Sequence, residues 1–169
     1  MRLAGLIAGL PLILAAAGAA AQEPNCRNFS WSVGRTIDLF DEPLPRVQSS
    51  QSLPKEGVFA IELRPVGDVI YPTTPERGSD GSWGGVMTIE NVPTGRHQIA
   101  LSEDAWVEAI QNNKRLAIQA SSRPKECRGV RRSFEVDVKG DPLTLQIGGA
   151  SVHRLNIAVV RIWPFEWRW

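Results

Sequence analysis

The sequence predicts an all-β protein: a single antiparallel β-sandwich, jelly-roll-like, behind a cleaved signal peptide. Three observations carry this prediction. From Val58 onward apolar and polar residues alternate in short runs, the period of a strand with one buried face. The runs recur at roughly 8–12-residue spacing with Gly, Pro or Asn between them, the pattern of sandwiches and barrels. No stretch keeps the period of an amphipathic helix.

The chain opens on MRLAGLIAGLPLILAAAGAAAQ. Arg2 supplies a positive start, Leu3 to Leu14 an apolar run, and Ala19-Ala20-Ala21 the small side chains a signal peptidase accepts before Gln22. A retained anchor needs ~20 apolar residues, and Pro11 interrupts this run. A lipoprotein acceptor is also not indicated, because Cys26 follows Glu23-Pro24-Asn25 rather than a small-residue box. The leader is of bacterial type, so the expected location is periplasmic or secreted. The expected division is 1–21 as signal peptide, 22–57 as an N-terminal strand and Pro-rich loop, and 58–169 as the sandwich body, with 22–169 forming one domain.

In the mature chain, Phe29, Trp31 and Val33 alternate with Ser30, Ser32 and Gly34 and read as a short strand. Thr36 to Phe40 suits a helical turn or a continuation of that strand. Asp41 to Gly57 holds Pro43, Pro45 and Pro54 among Ser and Gln, and reads as a polar connection without a ladder. Phe59, Ile61 and Leu63 then mark a strand up to Pro65, and Val69 to Tyr71 a short one. Pro72 to Gly85 reads as a long loop around Trp83.

Four further strands are expected at Val86 to Val92, Arg96 to Ser102, Ala105 to Gln111 and Lys114 to Ala120. Pro93-Thr94-Gly95 and Asn112-Asn113 read as turns, since Gly and Asn tolerate positive φ. Strands through Val138, from Leu143 to Ile147 and from His153 onward complete the set. The expected core is Phe59, Ile61, Leu63, Ile89, Ile99, Leu101, Trp106, Ile110, Ile118, Phe134, Val136, Leu145 and Ile147.

Charge and cysteine content bound the function. Formal net charge is +1, so nothing in the balance favours nucleic acid or an acidic membrane surface. Arg123, Lys125, Arg128, Arg131 and Arg132 nevertheless cluster around one cysteine, as a solvated basic loop or as a patch for an acidic partner. Cys26 and Cys127 are an even pair in an exported chain, and a disulfide between them is expected.

Catalytic signatures are sparse. The two histidines, His97 and His153, each stand beside an arginine and read as surface or edge residues rather than bases or ligands. No HExxH, His-x-His or Asp-rich calcium loop occurs, so no metal and no cofactor is expected. Asp41-Glu42, Glu103-Asp104 and Glu108 are the carboxylates a periplasmic hydrolase could use, although no spacing selects them. Ser79-Asp80-Gly81-Ser82 lacks the GxSxG elbow, and Asn28-Phe29-Ser30 is a sequon without weight behind a bacterial leader.

The C-terminal run carries Trp163, Phe165, Trp167 and Trp169 on one side of an extended chain. Three readings compete: core filling, an exposed platform for a glycan or protein, and the last strand of a small outer-membrane barrel. Pro164 and the shortness of the other strands count against the barrel.

The block GGVMTIENVPTGRHQIALSEDAWVEAI from Gly84, with QNNKRLAIQ, ECRGVRRSFEVDV and Leu143-Thr144-Leu145, resembles small secreted bacterial β-sandwich proteins of the pre-peptidase C-terminal-like class. It departs from them at His97, where an aromatic is expected, and at Glu108-Ala109-Ile110, which replaces an Asp-x-Leu element. The resemblance implies a non-catalytic accessory fold and carries over no binding residue.

These observations point to an exported domain that binds rather than catalyses, with a protein or cell-envelope glycan as partner and no stable membrane insertion. The candidate surface is Trp83, Trp163, Phe165, Trp167 and Trp169, with Arg128, Arg131 and Arg132. The outer-membrane barrel and the carboxylate-dependent hydrolase stand as alternatives.

Overall fold

A computed structural model describes residues 26, 29, 31–78, 82–123, 127–140 and 142–162. One short helix, α1 (Gly34–Phe40), precedes the strands β1 (Arg46–Gln48), β2 (Gln51–Lys55), β3 (Gly57–Glu62) and β4 (Arg64–Pro65). A single 3-10 turn at Val66–Asp68 leads to a loop. Then follow β5 (Trp83–Asn91), β6 (Gly95–Leu101), β7 (Trp106–Gln111), β8 (Lys114–Arg115), β9 (Ile118–Ser122), β10 (Arg132–Val138), β11 (Leu143–Ala150) and β12 (Arg154–Arg161).

The strands form two packed sheets. The first runs β1-β3-β12-β6-β10-β9 and the second β2-β5-β11-β7-β8, with β4 beside the start of β5. Their inward faces carry Ile61, Ile99, Leu101, Phe134, Val136, Leu155 and Ile157 from one sheet, and Met87, Ile89, Val107, Leu143, Leu145 and Ile147 from the other. Strand alternation places these residues together, and their burial is the main favourable term. All of the expected core positions are buried or packed against it except Ile118, which is exposed. On β9, Ala120 packs against the N-terminal layer described below, and Ile118 lies outside that cover.

Most connections carry the chain from one sheet to the other, and β4–β5, β7–β8 and β9–β10 stay within one. The turn at Asn112-Asn113 does close a two-residue hairpin, both residues at positive φ (51° and 58°), between β7 and β8. Pro93-Thr94-Gly95 instead crosses between sheets. The run expected as one strand over Lys114 to Ala120 is split at Leu116-Ala117, where the chain leaves β8 of one sheet for β9 of the other. Val69 to Tyr71 is not a strand.

The sheets are mixed rather than purely antiparallel. Asp41 to Gly57, expected to lack a ladder, holds β1 and β2, which pair parallel to β3 and β5. Ser49 and Ser50 (φ 74°) between them bond to Glu62 O and Val86 O, so one extended stretch stitches an edge of each sheet. Pro54 is tolerated because β2 is an edge strand, and it is the position skipped in the β5 register.

Phe29, Trp31 and Val33 are buried, as their alternation implies, but among the described residues of this segment none joins a ladder. With α1 it lies across the outer face of the first sheet, against Val58, Ala100, Ala120 and Ala158. The small alanines let the layer approach the sheet closely. Trp31 Nε1 and Gln98 Nε2 both donate to Ser133 Oγ, at 2.9 and 3.0 Å, satisfying the layer's buried polar groups. The seven residues of α1 are too few to hold a helix alone, so packing of Thr36, Ile37 and Phe40 maintains it. The Cys26–Cys127 disulfide, Cα–Cα 4.6 Å, pins this layer to the β9–β10 loop.

Candidate functional site

Register defines the two ends of the sandwich. Leu101 pairs with Arg132 on one side and Ile157 on the other, and Trp83 pairs with Ala150. The starts of β5, β10 and β12 and the ends of β6 and β11 therefore lie at one end. Trp83 is half-buried there, packed on the core and edge-on to His153 with ring centroids 5.8 Å apart. The β9–β10 loop with Arg128 and Arg131, both exposed, rises at the same end. Arg131 is engaged in a further interaction.

Arg132 shares its strand face with Phe134, so it points between the sheets at their mouth. Its guanidinium sits 5.0 Å above the Phe134 ring and its side chain is only 12% exposed. Arg132 Nη1 donates to Asp104 Oδ1 at 3.2 Å, and Arg123 bonds to the other oxygen of the same carboxylate. Arg132 Nε is buried without a hydrogen-bond partner. Burial first, and then the like charges of Arg123 and Arg77, hold its guanidinium below the usual range. Asp104 thus belongs to this cluster although it is far from Arg132 in sequence.

A second polar cluster covers the outer face of the second sheet. Glu108 on β7 and Gln146 on β11 are opposite in register, and Gln146 Nε2 donates to Glu108 Oε2 at 2.8 Å. Arg115 Nε donates to that same oxygen at 2.9 Å. The loop over this face is held by Thr73 N to Gln146 Oε1 (2.8 Å), Glu76 N to Glu108 Oε1 (2.8 Å) and Arg115 to Glu76 Oε1 (2.9 Å). Glu108, a carboxylate considered for hydrolysis, thus spends both oxygens on fastening a strap.

Tyr71 closes the strap. Its hydroxyl donates to Ile147 O at 2.9 Å, and its ring stacks obliquely on Trp106 at 5.8 Å. Burial, with a smaller push from Glu108, raises its pKa to about 12. Two glycines make room for these rings. A Cβ at Gly84 would overlap Tyr71 Oη, and one at Gly148 would overlap the Trp106 indole.

The two histidines diverge. His153 is exposed, as expected, whereas His97 is fully buried. Its strand face is that of Ile99 and Leu101, so the ring enters the core at the opposite end of the sandwich. Its Nε2 comes within 2.7 Å of Glu56 Oε2, out of line for a good hydrogen bond, and neither atom has another partner. Its Nδ1 lies 3.1 Å from Gly95 O.

Of the sequence-predicted site residues, the fold brings Trp83, Arg128, Arg131 and Arg132 to one end. Trp163, Phe165, Trp167 and Trp169 lie outside the described residues. The chain leading to them leaves from the other end, where Ile162 N bonds Arg96 O. Among the described residues no helix is long and apolar enough to cross a membrane. The described strands form two packed sheets with a filled interior rather than a closed barrel. No protein-family model matches the chain, nor does any curated protein or solved structure.

Proposed function

We propose that this chain is exported and acts outside the cytosol by binding, through the sandwich end that carries Trp83 and the arginine cluster. The observation that carries the reading is the convergence of Arg123 and Arg132 on one carboxylate, with Arg77 near, at the end where Trp83 reaches the surface. In a chain of net charge +1 this is a local excess of positive charge, and such an excess attracts an acidic partner. An aromatic face beside it adds contact area. The disulfide supports an oxidising compartment, periplasmic or secreted.

The strand order supports a jelly roll. With β3, β5, β6, β7, β8, β10, β11 and β12 taken in order as eight strands, one sheet runs first-eighth-third-sixth and the other second-seventh-fourth-fifth, all antiparallel. An accessory role of the kind found in the pre-peptidase C-terminal-like class accords with such a scaffold. The partner is a cell-envelope glycan or an envelope protein. The aromatic residues Trp163, Phe165, Trp167 and Trp169 offer further contact area for the partner.

Expression with the leader intact, followed by mass measurement of the exported chain, tests the location, with Gln22 as the expected first residue. Co-sedimentation with isolated cell-wall glycan tests the mode of action. Trp83→Ala and Arg128→Ala should each lower retention, and truncation after Ile162 should lower it independently. Unchanged retention in all three variants overturns the reading.

A further inference from the structure

We propose that His97 and Glu56 form a proton-operated latch at one end of the sandwich, closed while the pair shares a proton and released when that proton is lost. The pair lies at the opposite end from Trp83 and the arginine cluster, so it stands independently of the binding reading above. Glu56 is the single residue between β2 of the second sheet and β3 of the first. His97 is on β6, which the chain enters from β5 through the crossover ending at Gly95. A contact between these two side chains therefore ties together two places where the chain passes from the second sheet to the first. Asn91 Nδ2 donates to Pro54 O at 2.8 Å at the same end.

The number of protons decides whether this contact attracts or repels. His97 Nδ1 lies 3.1 Å from Gly95 O, an oxygen that can only accept, so the ring meets it favourably with Nδ1 protonated. A neutral imidazole then has only a lone pair on Nε2, and that lone pair faces Glu56 Oε2 at 2.7 Å. One further proton, on either atom, turns the repulsion into attraction, and neither atom has another partner. His97 is fully buried, so water does not replace what is lost, whereas the Glu56 side chain is 26% exposed and gives the proton a way out.

The surrounding charges leave this balance to the pair. Arg161 is opposite His97 on β12 with its guanidinium against Gly95, and it disfavours a positive ring, while the Glu56 carboxylate favours one. Val136, opposite on β10, is apolar. Lys55, Glu90 and Lys139 border this end but are exposed, and Arg96, Glu135 and Asp137 occupy the other face of the sheet. Loss of the shared proton as pH rises thus sets a carboxylate against a lone pair at the edge of the core, and the closing contact is whole at the lower pH and lost at the higher.

The test uses the exported, disulfide-bonded chain at about pH 6 and about pH 9, a range that stops short of the Tyr71 titration. Nitrogen NMR of the imidazoles reads proton occupancy directly, with exposed His153 as the internal reference. At the lower pH, His97 Nδ1 should carry a proton and Nε2 should share one; at the higher, Nε2 should show a bare lone pair. Amide exchange, corrected for its intrinsic pH dependence, should show protection at Glu56 to Phe59 and at Gly95 to Gln98 falling about tenfold or more, with the amides of β11 unchanged. Glu56→Gln puts a permanent N–H where the shared proton lies and should hold that protection level across the range.

Equal protection at both pH values, a loss spread evenly over all strands, or the same loss in Glu56→Gln overturns the proposal. So does a His97 ring that carries its only proton on Nε2 at the lower pH, a readout that needs no variant.

Discussion

Removing the disulfide gives the sharpest test of how the N-terminal layer is held. Cys26 and Cys127 are 101 residues apart in sequence, and the bond fastens Phe29, Trp31, Val33 and α1 over the outer face of the first sheet. In the chain-entropy model, a cross-link closing a loop of about this length stabilises by ~4.7 kcal/mol. Against a typical total of ~5–15 kcal/mol, that is a third or more of the margin. The variant to make is Cys26→Ala/Cys127→Ala, because both sulfurs are buried and serine would leave hydroxyls without partners. Urea unfolding should be followed by two probes, far-ultraviolet dichroism for the strands and tryptophan fluorescence, to which buried Trp31 contributes. The expected result is a midpoint lowered by the equivalent of roughly 4 kcal/mol, with the fluorescence transition preceding the dichroism one if the layer peels away first. A loss below about 1 kcal/mol, with the two transitions coincident, would refute the idea that loop closure holds this layer down.

Three other outcomes follow from named contacts. Ser133→Ala removes the acceptor shared by Trp31 Nε1 and Gln98 Nε2 and should cost about 1–3 kcal/mol for each donor left buried without a partner, measured by chemical unfolding. The chain has one tyrosine, so its phenolate absorbance reports Tyr71 directly, and it should titrate near about 12 rather than 10.0. The folded state keeps that proton longer than the unfolded chain does. The associated stability is therefore whole below 10.0 and is lost as pH rises toward about 12, a slope that Tyr71→Phe should abolish. Gly84→Ala places a Cβ against Tyr71 Oη and 2.9 Å from Ile147 O. It should displace the ring, cost roughly 1–3 kcal/mol, and return the tyrosine titration toward its ordinary value.

Individual residues show how far sequence reasoning reaches. Alternation found the core at Ile61, Ile89, Ile99 and Leu145 because a strand's period is a local property. The same alternation found that Phe29, Trp31 and Val33 are buried, but it could not say that they cover a sheet instead of extending it. His97 was read as a surface residue from its neighbour Arg96, yet the two point to opposite faces of β6, and the imidazole enters the core. Pro54 argued against a strand, and only the edge position of β2 explains its presence in one. At the candidate site, Trp83, Arg128, Arg131 and Arg132 stood out by type and clustering. Asp104 stood out only as a candidate hydrolase carboxylate, and its role as the shared acceptor of Arg123 and Arg132 depends on the β6–β7 turn meeting the start of β10.

Local patterning alone settles the class of this protein. The even cysteine pair and the short alternating strands point to a cross-linked β domain, because each is legible in residue types and local spacing. Tertiary structure decides everything that depends on which strands become neighbours. It sends most successive strands to opposite sheets, admits two parallel edge strands, and fastens one outer face with a disulfide and the other with Glu108, Gln146 and Arg115. It also brings Arg123 and Arg132, from two separate segments, onto one aspartate. No local period encodes that meeting, because the energy that makes it comes from long-range burial between the sheets.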